Sequence, residues 1–351
     1  MPERIHRSWE SKEYSMNRVQ ADIQSVISDR GLFEFLKNST VLVTGATGLL
    51  GSMLVKTIDA ANEKYSLGIN IVGQIRNRQK AAAVFGEEQQ NRISFTETAD
   101  VPCDFIFHTV SPTASKFFVE HPVETIKTSV GSAMEILEIA GRNKANLVYL
   151  SSMEEYGVPY TPGETMTEDK VGIIDHLNVR SSYSESKRLC ECLCAAYSSE
   201  YGTDVKMARL AQTFGAGIPL SDGRMPMQFA RAAAEEKDIV LHTEGRTVSN
   251  FVYLTDAIRG LLVIMKNGTS GEAYNVCNDA ETRSVREIAE LVASETAGGK
   301  IEVKVEILEN MGYAPESKMY LNSDKLKSLG WNAEVSMAEA YKRLKEYLKE
   351  Q

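Results

Sequence analysis

TVLVTGATGLLGSMLVKTIDAANEK, residues 40–64, joins a β-branched apolar run to a helical pattern through Gly45, Gly48 and Gly51. The run before Gly45 reads as a buried strand, and the apolar positions after Gly51 recur at helical spacing. A strand that turns through glycines straight into a helix suits a pyrophosphate. The turn is tight, no Cβ blocks the approach, and the helix N-terminus faces the negative charge. The spacing is G-x-x-G-x-x-G rather than the commoner G-x-G-x-x-G, so the loop alone also fits a tight turn with no ligand. Thr47, Leu49 and Leu50 belong to the same loop and would share its contacts.

Outward from this loop, strands and helices alternate. NIVGQIR (70–76) and DFIFHTV (104–110) read as the second and third strands. VETIKTSVGSAMEILEIAGRN (123–143) is an amphipathic helix, ANLVYLSS (145–152) a fourth strand, 183–201 a helix and DVKMARLA (204–211) a fifth strand. Such alternation predicts an α/β fold, a doubly wound parallel sheet covered on both faces. After Gly215 the pattern loosens into shorter elements and ends in the amphipathic helix MAEAYKRLKEYLKE, 337–350. The expected organisation is an N-terminal helical extension over 1–38, a dinucleotide-binding domain over 39–215, and a smaller, mainly substrate-binding lobe over 216–351. The last boundary is soft, and elements can interleave across it. In the extension, Val19, Ile23, Val26 and Ile27 fall at helical spacing, suited to packing on the body or on a partner subunit.

The chain has 351 residues, 43% hydrophobic and 25% charged, with a formal net charge of −9. It can bury a large core, and it lacks the basic field that nucleic-acid binding requires. No apolar run approaches the ~18 residues of a membrane span, and no signal-peptide pattern opens the chain. Five cysteines, an odd number, argue against a disulfide framework and for a reducing cytoplasm. Cys190 and Cys194 share a helix face from which Cys192 points away, so no metal site is expected there.

Ser152 ends the fourth strand, and the C-terminal ends of parallel strands face the ligand crevice. Beyond it, Tyr183 and Lys187 stand one helical turn apart and share a face. An ammonium beside a phenol favours the phenolate, lowering the tyrosine from its usual ~10 so that it can accept a proton from an alcohol that loses hydride. At the end of the second strand an acid would favour NAD, whereas arginine accommodates the 2′-phosphate of NADP. Arg76 and Arg78 stand there, which favours NADP, though they also suit a solvated loop. His108 and Pro112 follow the third strand, and His108 is given no chemical role.

The glycine loop, Ser152, Tyr183 and Lys187 together resemble the extended short-chain dehydrogenase/reductases, the NAD-dependent epimerase/dehydratase group that modifies nucleotide sugars. The likeness covers roughly residues 40–345. It comes closest to the UDP-glucuronate decarboxylases (UDP-xylose synthases) in FHTVSPTAS (107–115), HPVETIKTSVGS (121–132), SSMEEYG (151–157), YSESKRLCE (183–191), ARLAQTFG (208–215), SDGRMPMQF (221–229) and NFVYLTDAIRGL (250–261). The resemblance implies a Rossmann-type fold and a cofactor held by the glycine loop, Thr109, Val110, Tyr183 and Lys187. It also implies Ser111 near the substrate, Tyr183 as base for the sugar 4-hydroxyl, Ser152 as its hydrogen-bond partner, Glu154 as a further catalytic carboxylate, and a homodimer through the helices near 124–142 and 183–201.

The sequence departs from that pattern. Ser129, Gln212 and Ser249 replace two asparagines and an arginine, and Met153 stands where the 4,6-dehydratases place an aspartic acid. Methionine has no proton for a leaving hydroxyl. With the arginine at 249 absent, Arg224 and Arg246 are the expected diphosphate ligands, alongside Gln212 and Ser249. The leading expectation is a nucleotide-sugar decarboxylase or epimerase acting through a transient 4-keto sugar. The alternatives are an NADPH-dependent reductase of a keto-sugar or other carbonyl, and a catalytically silent dinucleotide-binding scaffold.

Overall fold

Seven parallel strands form the central sheet of the computed structural model, which describes residues 16–112, 115–308 and 316–351. The first fifteen residues of the 1–38 extension and Thr113–Ala114 of the 107–115 stretch lie outside the described residues. In chain order the sheet contains β1 (Thr40–Thr44), β2 (Asn70–Gln74), β3 (Ser94–Thr96), β4 (Phe105–His108), β5 (Asn146–Ser152), Val205–Leu210 and Ala273–Val276. Across the sheet they run Ala273–Val276, Val205–Leu210, β5, β4, β1, β2, β3, every neighbouring pair parallel. The order reverses between β1 and β4, where Thr44 pairs with both Gln74 and His108, so the ligand crevice opens beyond Thr44.

Two of these strands escape the sequence pattern. β3 is too short to show a period, and Ala273–Val276 returns from beyond residue 215 to pair with Val205–Leu210. The dinucleotide-binding sheet is therefore completed by residues expected in the lobe. Helices α2 (Leu49–Tyr65) and α8 (Leu254–Asn267) cover one sheet face, and α5 (Pro122–Asn143) and α6 (Ser182–Tyr201) pack side by side on the other, with α3 (Arg78–Gln90) following β2 and the short α4 (Ser115–Glu120) following β4. A separate core holds the lobe together around α7 (Met225–Glu235) and the C-terminal helix Met337–Lys349. Among the described residues no helix is long and apolar enough to cross a membrane.

The described part of the extension, residues 16–38, packs on the chain's own body. Helix α1 (Arg18–Val26) starts at an Asn17–Gln20 capping box and buries Ile23 and Val26, with Ile27 just beyond its end, against the same core as α2 and α8. Its buried Asp22 accepts hydrogen bonds from Tyr253 Oη (2.6 Å) and Arg18, and pairs with Arg343 Nη1 at 3.3 Å. That cluster fastens α1 to the lobe.

Candidate active site

Gly45 adopts φ +66°, a conformation that side chains with a Cβ rarely take, and its carbonyl receives Gly48 N–H at 2.9 Å. Gly48 caps α2, which aims that helix's free N–H groups at the crevice. At Gly51 a Cβ would lie 2.5 Å from Gly45 O and 2.8 Å from Thr109 Oγ1. Thr109 is itself pinned, donating to Thr44 O at 2.7 Å, and Val110 packs against Gly45. The cradle thus fits a dinucleotide's pyrophosphate. Gly51→Ala is expected to weaken NAD(P) binding about tenfold or more in a calorimetric titration, ~1.4 kcal/mol, because backbone must shift to admit the methyl. Unchanged affinity would contradict the cradle's role.

The second-strand end is organised by a residue the sequence did not single out. Gln74 accepts from Gly45 N–H at 3.3 Å and donates to Glu97 O at 3.3 Å. Arg76 is exposed, and Arg78 pairs with Glu97 at 3.1 Å on the surface.

β5 delivers Ser152 to the crevice, where its hydroxyl accepts from Glu154 N–H at 3.2 Å and caps the turn Met153–Tyr156. Across from it, α6 presents Tyr183 and Lys187, both buried. These residues line one cavity of about 470 Å³ with Glu154, Ser111, Thr109, Gly48, Leu49, Leu50 and Gly51. Thr47 lines a second groove that shares Gly48 and Leu49 with this cavity.

The electrostatics correct one expectation. Lys187 Nζ donates to Leu150 O (2.7 Å) and Tyr149 Oη (3.3 Å), and it stands 5.8 Å from the Tyr183 ring centre. It makes no hydrogen bond to the Tyr183 hydroxyl among the bonds described. Burial pushes the Tyr183 phenol up to about 12, although hydrogen bonding to Ser152 and Ser111 pulls the other way. Burial also brings Lys187 down to about 8. Desolvation dominates here, and the cation that most pulls the phenol down is Arg180 rather than Lys187, so the Lys187 ammonium does not bring the phenol into the working range. His108 behaves as a structural residue. It is held between Thr44 Oγ1 (2.9 Å) and Ser132 Oγ (3.3 Å) and pushed down to about 3 by burial, with Lys187 adding to the shift.

Two further groups enter from short helices, Phe118 from Ser115–Glu120 and Arg180 from the 3-10 turn Val179–Ser181. The Phe118 ring stacks parallel on Tyr183, centroids 4.3 Å apart. Arg180 lies over Phe118 at 5.3 Å and pairs with Glu154 through Nη2–Oε2 at 3.1 Å. Neither followed from periodicity, although Arg180 stands three positions before Tyr183.

The substituted positions meet each other. Gln212 Nε2 donates to Ser249 Oγ at 3.4 Å, and that hydroxyl points to Met153 Sδ at 4.0 Å. Ser129 is buried behind α6 with its hydroxyl unpartnered. Arg224 lines the cavity, tied to Asp222 (3.0 Å) and to Thr213 O (3.3 Å). Arg246 does not join it. That side chain is 66% exposed, 3.9 Å from Glu244, in a separate groove with Val248, Ser284, Arg286 and Lys318. The strand Val248–Ser249 pairs antiparallel with Arg283–Ser284, and this edge carries Arg246 away from Tyr183. Cys190 and Cys194 are buried, Cys192 is exposed, and among the described residues no group of three potential ligands could hold a metal.

Beneath the Ser152–Glu154 corner lies a buried charge cluster. Arg209 binds Glu191 (Nη2–Oε2 2.7 Å), approaches Glu155 Oε1 at 3.1 Å and donates to Tyr156 Oη at 2.8 Å, which in turn donates to Asn275 at 2.9 Å. Burial, with Glu191 next to it, pushes the Glu155 carboxyl up to about 7 despite Arg209.

With this geometry in hand, the comparisons are specific. The sequence pattern of the NAD dependent epimerase/dehydratase family matches residues 41–277. UDP-glucuronic acid decarboxylase 6 of Arabidopsis thaliana is 29% identical over 314 residues, 89% of each chain. UDP-glucuronic acid decarboxylase 1 of Xenopus tropicalis is 27% identical over 317 residues, 89% of this chain and 72% of the relative. Among solved structures, an epimerase from Methanothermobacter thermautotrophicus superposes with a TM-score of 0.76 at 20% identity, covering 92% of this chain and 95% of that one. UDP-glucose 4-epimerase from Thermotoga maritima gives 0.74 at 19% identity, covering 89% and 99%. At such identities the structures establish the shared fold. Fold, glycine cradle and family match agree, and the chain belongs to the NAD dependent epimerase/dehydratase family.

Proposed function

We propose that this enzyme decarboxylates UDP-glucuronate through a transient 4-keto sugar. The observation that carries the reading is the convergence of Ser152, Glu154 and Tyr183 on one cavity that the glycine loop also lines. The names of the decarboxylase relatives support it. A nicotinamide dinucleotide held along Gly45–Gly51, Thr109 and Lys187 would supply the hydride acceptor and donor. Tyr183 Oη takes the proton of the C4 hydroxyl, and Ser152 Oγ holds the reacting oxygen by a hydrogen bond. With a ketone at C4 the uronate is a β-keto acid. Its C5–carboxylate bond breaks with loss of carbon dioxide, and the electron pair enters the C4 carbonyl as an enolate. A solvent proton adds at C5, and reduction restores the C4 alcohol as Tyr183 Oη gives its proton back. Glu154 is the single carboxylate lining the cavity among the described residues, and Met153 offers no proton for dehydration.

For the cofactor, Arg76 and Arg78 keep NADP as the proposed preference, with Arg78 required to leave Glu97 for a 2′-phosphate. A cytoplasmic homodimer through α5 and α6 belongs to the same reading. It is supported by the exposed apolar stripe Val123, Ile126 and Met134 on α5 and by Leu189 on α6.

Incubating the purified protein with UDP-glucuronate and weighing the products by mass spectrometry tests the proposal. The expected result is a UDP-pentose and carbon dioxide, with NAD or NADP identified in the extract of the denatured protein. A UDP-hexuronate of unchanged mass but altered C4 configuration would replace decarboxylation by epimerisation. No conversion would remove both.

A further inference from the structure

Arg180 and Glu154 form an ion pair in the wall of the cavity, at 3.1 Å, with side chains 37% and 34% exposed. Such a pair is open to a ligand. The other cations of the cavity are already engaged by the protein: Lys187 by Leu150 O and Tyr149, Arg224 by Asp222 and Thr213 O. Arg180 is held differently. Its backbone N–H donates to Asn178 Oδ1 at 3.0 Å, fixing the turn Val179–Ser181, and its guanidinium lies over Phe118, which stacks on Tyr183. The cation therefore stands on an aromatic platform shared with the phenol that takes the proton. Both Arg180 and Glu154 act electrostatically on that phenol.

We propose that Arg180 is the specificity-determining residue of the site, its guanidinium bridging Glu154 and the carboxylate of a uronic acid sugar. The inference rests on the UDP-sugar reading above and adds the basis of its selectivity. In a hexuronate the carboxylate is borne by C5, next to the C4 hydroxyl. A hydroxyl seated at Tyr183 therefore brings that carboxylate to the Glu154 side of the cavity. Without Arg180 the ligand carboxylate would face Glu154, a like charge in a partly desolvated wall. A planar guanidinium presents several N–H donors along two edges, so one edge can hold Glu154 while the other receives the ligand in a charge-assisted fork. A neutral hexose offers a hydroxymethyl group there and gains no such pair. Sharing the cation also keeps Glu154 oriented toward the substrate.

The test is a calorimetric titration of cofactor-loaded protein with UDP-glucuronate, UDP-glucose and UDP, for wild type, Arg180→Met and Arg180→Lys. Wild type is expected to bind UDP-glucuronate more tightly than UDP-glucose. Arg180→Met should lose about 10- to 100-fold of its UDP-glucuronate affinity, the size of a charge-assisted hydrogen bond. Its affinities for UDP-glucose and UDP should stay within about twofold, which also reports a folded site. Arg180→Lys, which keeps the charge without the fork, should fall between. If Arg180→Met weakens all three ligands equally, or none, the assignment is wrong. Equal wild-type affinity for the two sugars, with UDP-glucuronate still converted, overturns this inference alone. Absence of any UDP-sugar binding by wild type overturns it together with the proposed function.

Discussion

Tyr183→Phe is expected to lower kcat by about 10²–10⁴-fold, the usual contribution of a positioned general base, with little change in substrate affinity. The change removes one oxygen from a ring that keeps its stacking on Phe118, so the cavity wall stays in place. The pH profile carries the sharper information. Burial holds the Tyr183 phenol near 12, and the ionised fraction of such a group rises about tenfold per pH unit below its pKa. Because the ionised form is the active base, wild-type kcat/KM should climb from pH 7 towards 9. The phenylalanine variant should lose that climb. Stopped or continuous assays at several pH values check both. A flat wild-type profile of kcat/KM, which reports the substrate-free enzyme, would contradict the raised phenol.

Arg209→Met should cause the largest loss of stability, about 3–5 kcal/mol, because it leaves Glu191 and Glu155 buried without their shared cation. Denaturant titration of wild type and variant measures it. Adding Glu155→Gln should recover part of the loss, since one of the two stranded charges disappears. The pH dependence follows from the direction of the Glu155 shift. Its folded pKa is raised above the ordinary carboxylate value, to about 7, so the folded state binds the proton more tightly than the unfolded state. The stability attached to that proton is complete below the ordinary value near 4.5 and is lost as pH rises through about 7. Glu155→Gln alone should therefore match wild type near pH 4 and exceed it in stability at pH 8. The same stability at both pH values would show that Arg209 compensates both acids fully. The cluster lies directly under the turn Met153–Tyr156 that carries Glu154, so its integrity also bears on the geometry of the site.

The parts of the molecule legible in the sequence are those with a local cause. The glycine loop needs a positive φ at Gly45 and no Cβ at Gly51, and each requirement selects a residue type. β1 and β5 are largely apolar, and Val205–Leu210 is buried throughout, because both sheet faces are covered. Tyr183 and Lys187 share a face through helical spacing alone. What stayed hidden depends on distant chain segments meeting. The four-residue strand Ala273–Val276 shows no period, and only its pairing with Val205–Leu210 places it in the sheet. Arg180 and Phe118 reach Tyr183 from two separate short helices, and Gln74 supports Gly45 from the end of β2. Arg246 illustrates the reverse error. Nearness to Ser249 along the chain suggested a shared ligand, but the antiparallel edge with Arg283–Ser284 sends it to another groove. The expected depression of the Tyr183 phenol failed for a related reason. Helical spacing fixes which face Lys187 takes, whereas burial and the acceptor at Leu150 O decide where its ammonium goes.

On the proposed function, Tyr183 opens a self-contained redox cycle at C4 of a nucleotide sugar. Conversion of UDP-glucuronate carrying deuterium at C4 tests it most directly. The UDP-pentose formed is expected to retain the deuterium at C4, with no net consumption of cofactor. Product that has lost the label, or label accumulating in free reduced cofactor without its return to the sugar, would contradict it.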